Sequence, residues 1–223
     1  MAGNAWWMSV REYEELTAGA RELERDRFGI KVLLTPDDRI IKLFRIKRLW
    51  SLAAIYPYSF RFRRNAERLR RTGIRTVRVE RVFYCHAIRR HGVIYPRLAG
   101  ETLAELLQRE TPPEGLLQQL AVFVAQLHLC GIYFRSLHLG NVLRLPTGEL
   151  GLIDVADLRF RYGALSPGQR ARNFRHLLRR PEQRAVFERF GIKIFLDLYL
   201  RAAELPVRQA ETIRAQISAQ EGR

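Results

Sequence analysis

Apolar positions divide the chain into a strand-patterned first part and a helix-patterned second part. Ile30 to Leu34 form a short apolar run, the Pro36, Asp37, Asp38 triplet interrupts it, and Ile40 to Phe44 resume it. This pattern predicts two strands joined by a turn, with ELERDR before them as a further strand. In RRNAERLRR the apolar Phe62, Ala66 and Leu69 recur at helical spacing beside a strongly basic face, which predicts a helix. GVIYPRLAGETLAELL then reads as an apolar strand that gives way at Gly100 to a helix. After the Thr111, Pro112, Pro113 start signal, LLQQLAVFVAQLH predicts a long helix carrying Leu117, Leu120, Val124 and Leu127 on one face. That face is core packing, and His128 at its end reads as structural. VLRLPTGELGLI predicts two short strands around a Pro146, Thr147, Gly148 turn. From Pro167 onward the pattern is helical through SPGQRARNFRHLLRR and FGIKIFLDLYLRAAEL, and only the last dozen residues read as prone to fray. The fold class is α+β. Residues 1–97 are expected to form a small antiparallel sheet with one helix, and residues 98–223 a helical part that contains the short hairpin.

Composition sharpens this only in places. A chain of 223 residues with 47% hydrophobic content can bury a sizeable core, which argues against disorder. Cys85 and Cys130 lie in apolar segments without metal-ligand spacing, so both are expected as buried free thiols in a reducing compartment. No apolar run is long enough to span a bilayer, and the amino terminus lacks the pattern of a secretory signal. The expectation is a cytoplasmic protein, soluble or peripheral at the inner membrane. The formal charge of +16, from 39 Lys and Arg against 23 Asp and Glu, favours phosphates, anionic lipids or nucleic acid without choosing among them. In RIKRLWSLAAIYPYSFRFRRNAERLRR, arginines alternate with Trp50, Tyr56, Tyr58 and Phe60. That alternation suits a membrane surface, a sugar-phosphate polymer or single-stranded nucleic acid, and equally aromatics packed beneath a basic surface.

The chemistry is concentrated in GIYFRSLHLGNVLRLPTGELGLIDVADLR, residues 131 to 159. In the template H-R-D-x-x-x-x-N followed by a later Asp, the first Asp accepts a hydroxyl proton, while Asn and the later Asp hold Mg²⁺. Phe134, Arg135, Ser136 and Asn141 occupy the template positions, and Asp154 follows. The predicted hairpin sets Asn141 and Asp154 at neighbouring ends, where a divalent ion fits between them. SLHLGNVL and GLIDVAD resemble the HGDLHxGNIL and IDFxD motifs of bacterial small-molecule and sugar kinases. More closely, they are similar to those of the lipopolysaccharide core kinases, the Kdo and heptose kinases, and their toluene-tolerance-protein relatives. IIKLF at 40 to 44, PYSFRFRRNAERL at 57 to 69, IYPRLAGETLAELL at 94 to 107 and RARNFRHLLRR at 170 to 180 extend the resemblance over about residues 25 to 200.

The resemblance implies a two-lobed, protein-kinase-like fold using ATP and Mg²⁺ to phosphorylate an anionic sugar acceptor of the lipopolysaccharide core or a related envelope glycan. It assigns Lys42 to the nucleotide phosphates, Glu67 as its helix partner, the backbone from Tyr95 to Leu98 to the adenine, and Asn141 and Asp154 to the metal. A lone acid among arginines also reads as a surface salt-bridge partner. No G-x-G-x-x-G is present, and the turn at ERDRFGIKV has only Gly29. Ser136 stands where the general base belongs, and its hydroxyl cannot accept a proton at neutral pH as a carboxylate does. Losing a base that contributes 10²- to 10⁴-fold raises the barrier by roughly 3 to 5 kcal/mol. His138 and Asp157 are the substitute candidates, with a structural hydrogen bond the alternative role for His138. Arg170, Arg172 and Arg175 are expected on a basic face, solvated or gathering acceptor phosphates. Two alternatives stand beside the kinase: a pseudokinase serving as a binding module in envelope biogenesis, and a nucleic-acid-binding protein. No nucleic-acid motif supports the last.

Overall fold

The structure is a computed structural model and describes residues 5–45 and 57–221. The chain divides into two compact units, Met1–Leu98 and Ala99–Arg223.

The first unit is built on a six-stranded sheet. Strands β2 (Arg21–Asp26), β3 (Gly29–Leu34) and β4 (Arg39–Arg45) follow as antiparallel neighbours, as the run, turn and run of residues 30 to 44 predict. The Pro36 turn closes with Asp38 N–H donating to the Thr35 carbonyl at 3.1 Å. A two-residue strand, β5 (Arg75–Thr76), follows the sheet's helix, and β6 (Arg81–Cys85) and β7 (Arg90–Pro96) form a hairpin whose second strand pairs β4. Strand β1 (Trp6–Met8) then adds to β6 in parallel, Trp6 opposite Phe83. The sheet is therefore antiparallel in five strands and parallel at one edge, which the sequence reading did not anticipate. Helix α1 (Val10–Thr17) starts at Ser9, whose Oγ accepts from Glu12 N–H at 3.2 Å.

One sheet face carries the apolar cluster Met8, Leu33, Ile41, Leu43, Phe83, Cys85 and Ile94. Gly92 is required there, because a Cβ at that position lies 2.2 Å from the ring of Phe83. Strand alternation sends Ile40, Lys42 and Phe44 to the other face. Helix α2 (Tyr58–Arg71) lies on that face through Phe62, which is fully buried, 5.9 Å from the Phe44 ring and stacked 5.5 Å from that of Tyr95. Burying one such ring stabilises the unit by about 1.5 to 3 kcal/mol.

The second unit is mainly helical. Strand β8 (Glu101–Thr102) leads into α3 (Leu103–Gln108), where Thr102 and Glu105 form a capping box. Helix α4 (Leu116–Leu129) is the central core helix, burying Leu116, Leu120, Val124 and Leu127, while Leu117 is only half-buried. Strands β9 (Ile132–Phe134), β10 (Val142–Arg144), β11 (Leu150–Leu152) and β12 (Leu158–Phe160) make two short ladders, β10 with β8 and β11, and β9 with β12. Helices α5 (Pro167–Leu177), α6 (Pro181–Phe190), α7 (Ile192–Ala202) and α8 (Val207–Glu221) complete the unit, so the last dozen residues belong largely to a helix. Helix α5 begins with Pro167 at its first turn, and Gln169 Oε1 accepts from Ser166 N–H at 2.9 Å.

Two expectations need correction. Cys85 is buried but Cys130 is exposed, because it caps the end of α4, where Leu129 also faces solvent; both are free thiols. Arg170 is buried rather than on a basic surface, its relative exposure being 1%. Trp50 and Tyr56 of the basic aromatic stretch lie outside the described residues, whereas Tyr58 and Phe60 lie half-buried on α2 beneath the guanidinium groups of Arg61 and Arg63. Among the described residues, no helix is long and apolar enough to cross a membrane.

Candidate functional site

Two strand pairings assemble the residues of the 131 to 159 segment. Antiparallel pairing of β9 with β12 sets Phe134 opposite Leu158, which brings the loop after β9 to the turn before β12. Across that junction Ser136 Oγ donates to Asp157 Oδ2 at 3.2 Å, although 21 positions separate them. The β10 and β11 hairpin makes the second tie, with Val142 opposite Leu152 and Ile153 N–H donating to the Asn141 carbonyl at 3.0 Å. Asn141 and Asp154 therefore come from adjoining backbone, as the hairpin pattern predicts. Asn141 Nδ2 donates to the Ser136 carbonyl at 2.9 Å, closing the loop from 136 to 141 and leaving the amide oxygen as a ligand atom.

Asp154 sits at φ 53° and ψ 48°, a left-handed conformation that costs an ordinary L residue about 1 to 2 kcal/mol. The short three-residue turns on either side, Leu139–Asn141 and Val155–Asp157, bury Asn141 and leave Asp154 and Asp157 half-buried. His138, half-buried, caps the first turn, its carbonyl accepting from Asn141 N–H at 2.9 Å.

An amide oxygen and a carboxylate are hard donors, which fits Mg²⁺ rather than a thiophilic metal. Among the described residues, no group of three or more His, Cys, Asp or Glu surrounds a common point, so an all-protein cage is not on offer.

Residues outside the segment hold it in place. Asn173 of α5 accepts at Oδ1 from Phe134 N–H at 3.2 Å and donates from Nδ2 to the Phe134 carbonyl at 2.7 Å. The same Oδ1 lies 3.2 Å from His128 Nε2, so that nitrogen carries the proton, and Nδ1 accepts from the Tyr199 hydroxyl at 2.8 Å. Arg170 completes the network, donating from Nη1 to Tyr199 Oη at 2.8 Å and from Nε to the Leu165 carbonyl at 2.8 Å. Burial, with the Arg170 charge adding to it, lowers the His128 pKa to about 3, and burial raises that of Tyr199 to about 12. The imidazole is thus neutral and structural, as its place at the helix end predicts. Gln183 of α6, also buried, accepts from Leu139 N–H at 3.2 Å. Sequence reasoning missed Asn173 and Gln183 as supports, and their only signal was a polar residue on an otherwise apolar helix face.

In the first unit, Lys42 is 8% exposed, between Val32 and Val93 on the sheet face that α2 covers. Its side chain thus faces the covered side of the sheet rather than solvent. Glu67 is exposed on α2 and pairs with Arg63 Nε at 3.8 Å, the surface ion pair that a lone acid among arginines suggests. The polar side chains on the buried face of α2 are Ser59 and Asn65. Tyr95 is buried against Phe62, and Leu98 is half-buried at the end of the unit.

No family model matches the chain, and no curated protein matches it. Among solved structures, monomeric WbdD overlaps with a TM-score of 0.46 at 16% identity, covering 75% of this chain and 43% of WbdD. A structure described as the bifunctional kinase-methyltransferase WbdD overlaps with a TM-score of 0.44 at 14% identity, covering 84% and 47%. This chain spans under half the length of the WbdD chains it overlaps. Overlap this loose carries no argument about activity, which must rest on the residues themselves.

Proposed function

We propose that the chain is a phosphotransferase of the kinase-like kind, moving a phosphoryl group from ATP to a hydroxyl of an envelope glycan, with the lipopolysaccharide core as the acceptor class. The observation that carries this reading is the convergence of Ser136, Asp157, Asn141 and Asp154 on one loop and hairpin. A carboxylate within hydrogen-bond reach of position 136 supports Asp157 as the group that accepts the acceptor proton, with Ser136 aligning it. His138 is the lesser candidate, since its backbone already serves the turn. Asn141 and Asp154 are the residues that would hold Mg²⁺, which neutralises phosphate charge when bound. Lys42, buried in the sheet, is assigned to the nucleotide phosphates, and the backbone from Tyr95 to Leu98 to the adenine. Glu67 is not carried forward as the partner of Lys42, because its side chain is exposed and engaged by Arg63.

Phosphoryl transfer passes through a loose transition state in most analyses, so positioning and charge stabilisation supply most of the rate. A displaced base is therefore compatible with turnover. The replacement at Ser136 favours a second reading, a binding module that keeps nucleotide without transferring its phosphate.

Calorimetric titration of ATP with and without Mg²⁺ tests the proposal without knowledge of the acceptor. Binding that requires Mg²⁺ and is lost in Asp154→Asn is expected. Absence of binding at millimolar ATP refutes the kinase mechanism.

A further inference from the structure

The helical unit contains a cleft of about 630 Å³ that is separate from the Asn141 and Asp154 pair. Arg135, Arg172, Arg175, Arg179 and Arg184 line it, and among the described residues no acid does. Helix periodicity explains part of the gathering: residues 172, 175 and 179 are spaced three and four apart, so they share one side of α5 and its exit. Arg135 comes from the loop after β9, and Arg184 from α6.

Two of the five are partly engaged. Arg184 Nε pairs with Glu188 Oε1 at 3.0 Å, and Arg172 Nε donates to the Gly168 carbonyl at 3.3 Å. The side chains of Arg135, Arg175 and Arg179 make no hydrogen bond or ion pair with any described residue. The three guanidinium groups are exposed around one concavity, and an incoming dianion can draw them together on itself. Their nearness is registered by His176 inside the cleft, which is held below the ordinary imidazole range by burial and then by the charges of Arg135, Arg179 and Arg175. His176 Nε2 lies 3.0 Å from the Tyr133 hydroxyl, so the ring is fixed toward that side.

The remaining wall is apolar, formed by Leu178, Ile192 and Ile217. A free phosphate would leave that wall and most of the volume unused, whereas a phosphate that carries a body beside Tyr133 also occupies the apolar side of the cleft. We infer that this cleft binds the phosphomonoester of a sugar-sized molecule, with Arg135, Arg175 and Arg179 taking the phosphate and the apolar wall taking the body. The site requires no transfer chemistry, so a failure of the kinase proposal leaves it standing.

The test uses the full chain without ATP or Mg²⁺. Glucose 6-phosphate, glucose and inorganic phosphate are titrated while the His176 imidazole is followed by NMR. Glucose 6-phosphate is expected to bind more tightly than inorganic phosphate, to raise the His176 pKa toward its ordinary value, and to lose at least tenfold in affinity in Arg175→Gln/Arg179→Gln. Glucose is expected not to bind. The single variant Arg179→Gln provides a milder version of the same reading. No perturbation of His176 by glucose 6-phosphate at about 10 mM, equally tight inorganic phosphate, or undiminished affinity in both variants overturns the inference.

Discussion

Asn173→Ala is the sharpest test of how the loop after β9 is held. The wild-type amide satisfies three buried groups: the Phe134 N–H at 3.2 Å, the Phe134 carbonyl at 2.7 Å and His128 Nε2–H at 3.2 Å. Asn173 is 1% exposed, and Phe134 and His128 are fully buried, so bulk water does not replace the lost partners. Each orphaned buried group costs about 1 to 3 kcal/mol, and the three are not additive because they share one side chain, which sets the expected loss at about 3 to 5 kcal/mol. Set against a typical total of 5 to 15 kcal/mol, that is a large fraction of the stability. Equilibrium urea unfolding read by tryptophan fluorescence and circular dichroism measures it, with Arg172→Ala, its exposed neighbour on α5, expected within about 0.5 kcal/mol of wild type. Phe134 lies two residues before Ser136, so the variant should also speed amide exchange through the loop from 135 to 141. A loss below about 1 kcal/mol refutes the network as the anchor of this loop.

Three further outcomes follow from the same geometry. Folded His128 has its pKa at about 3 against an ordinary 6.5, so the unfolded chain takes up the proton first. Its contribution is complete above pH 6.5 and is lost as pH falls toward 3, with His91 and His176, also lowered by burial, acting in the same direction. Urea unfolding at successive pH values should show a slope approaching about 1.4 kcal/mol per pH unit from His128 alone, shallower in His128→Gln. Gly131→Ala forces a Cβ to 2.3 Å from the Gly163 carbonyl oxygen at φ +69°, whereas Gly73→Ala, at φ +78°, meets open space. The first should cost about 2 to 4 kcal/mol and the second about 1 to 2, and equal losses in thermal unfolding would show that the clash is relieved without cost. Under the kinase proposal, Asp157→Asn should lower turnover about 10²-fold or more while Mg²⁺-dependent ATP binding persists, and an unchanged rate in a transfer assay removes Asp157 from the base role.

Local pattern made much of this fold readable. Residues 30 to 44 became two strands and a turn because the apolar runs and the Pro36 break act within a few positions. The same holds for the hairpin that joins Asn141 to Asp154. The contacts missed are the distant ones: Trp6 to Met8 adding in parallel to Phe83 to Cys85, and Asn173 bonding a strand 39 positions earlier. No local period encodes such partners. Two errors, by contrast, were avoidable from helical geometry. Arg170 lies about 200° around the helix from Arg172, on the side of Asn173, Phe174 and Leu177, so it could not share a basic face with Arg172 and Arg175. Glu67 likewise falls about 140° from Phe62, whereas Ser59 and Asn65 each fall about 60° from it, so these are the inward polar side chains of α2.

The replaced position also looks different once its surroundings are known. Read along the chain, Ser136 is a missing carboxylate. In three dimensions the pairing of β9 with β12 has already brought a carboxylate, Asp157, to within 3.2 Å of the Ser136 hydroxyl. An aspartate at position 136 would set two carboxyl groups at about that separation, and like charges so close cannot both ionise at neutral pH. One would hold a proton and lose its value as a base. A hydroxyl at 136 avoids that conflict: it donates to Asp157 and fixes one of its carboxylate oxygens in place. The pairing therefore differs from a random loss of the acid, which would leave the loop without any carboxylate in reach of position 136.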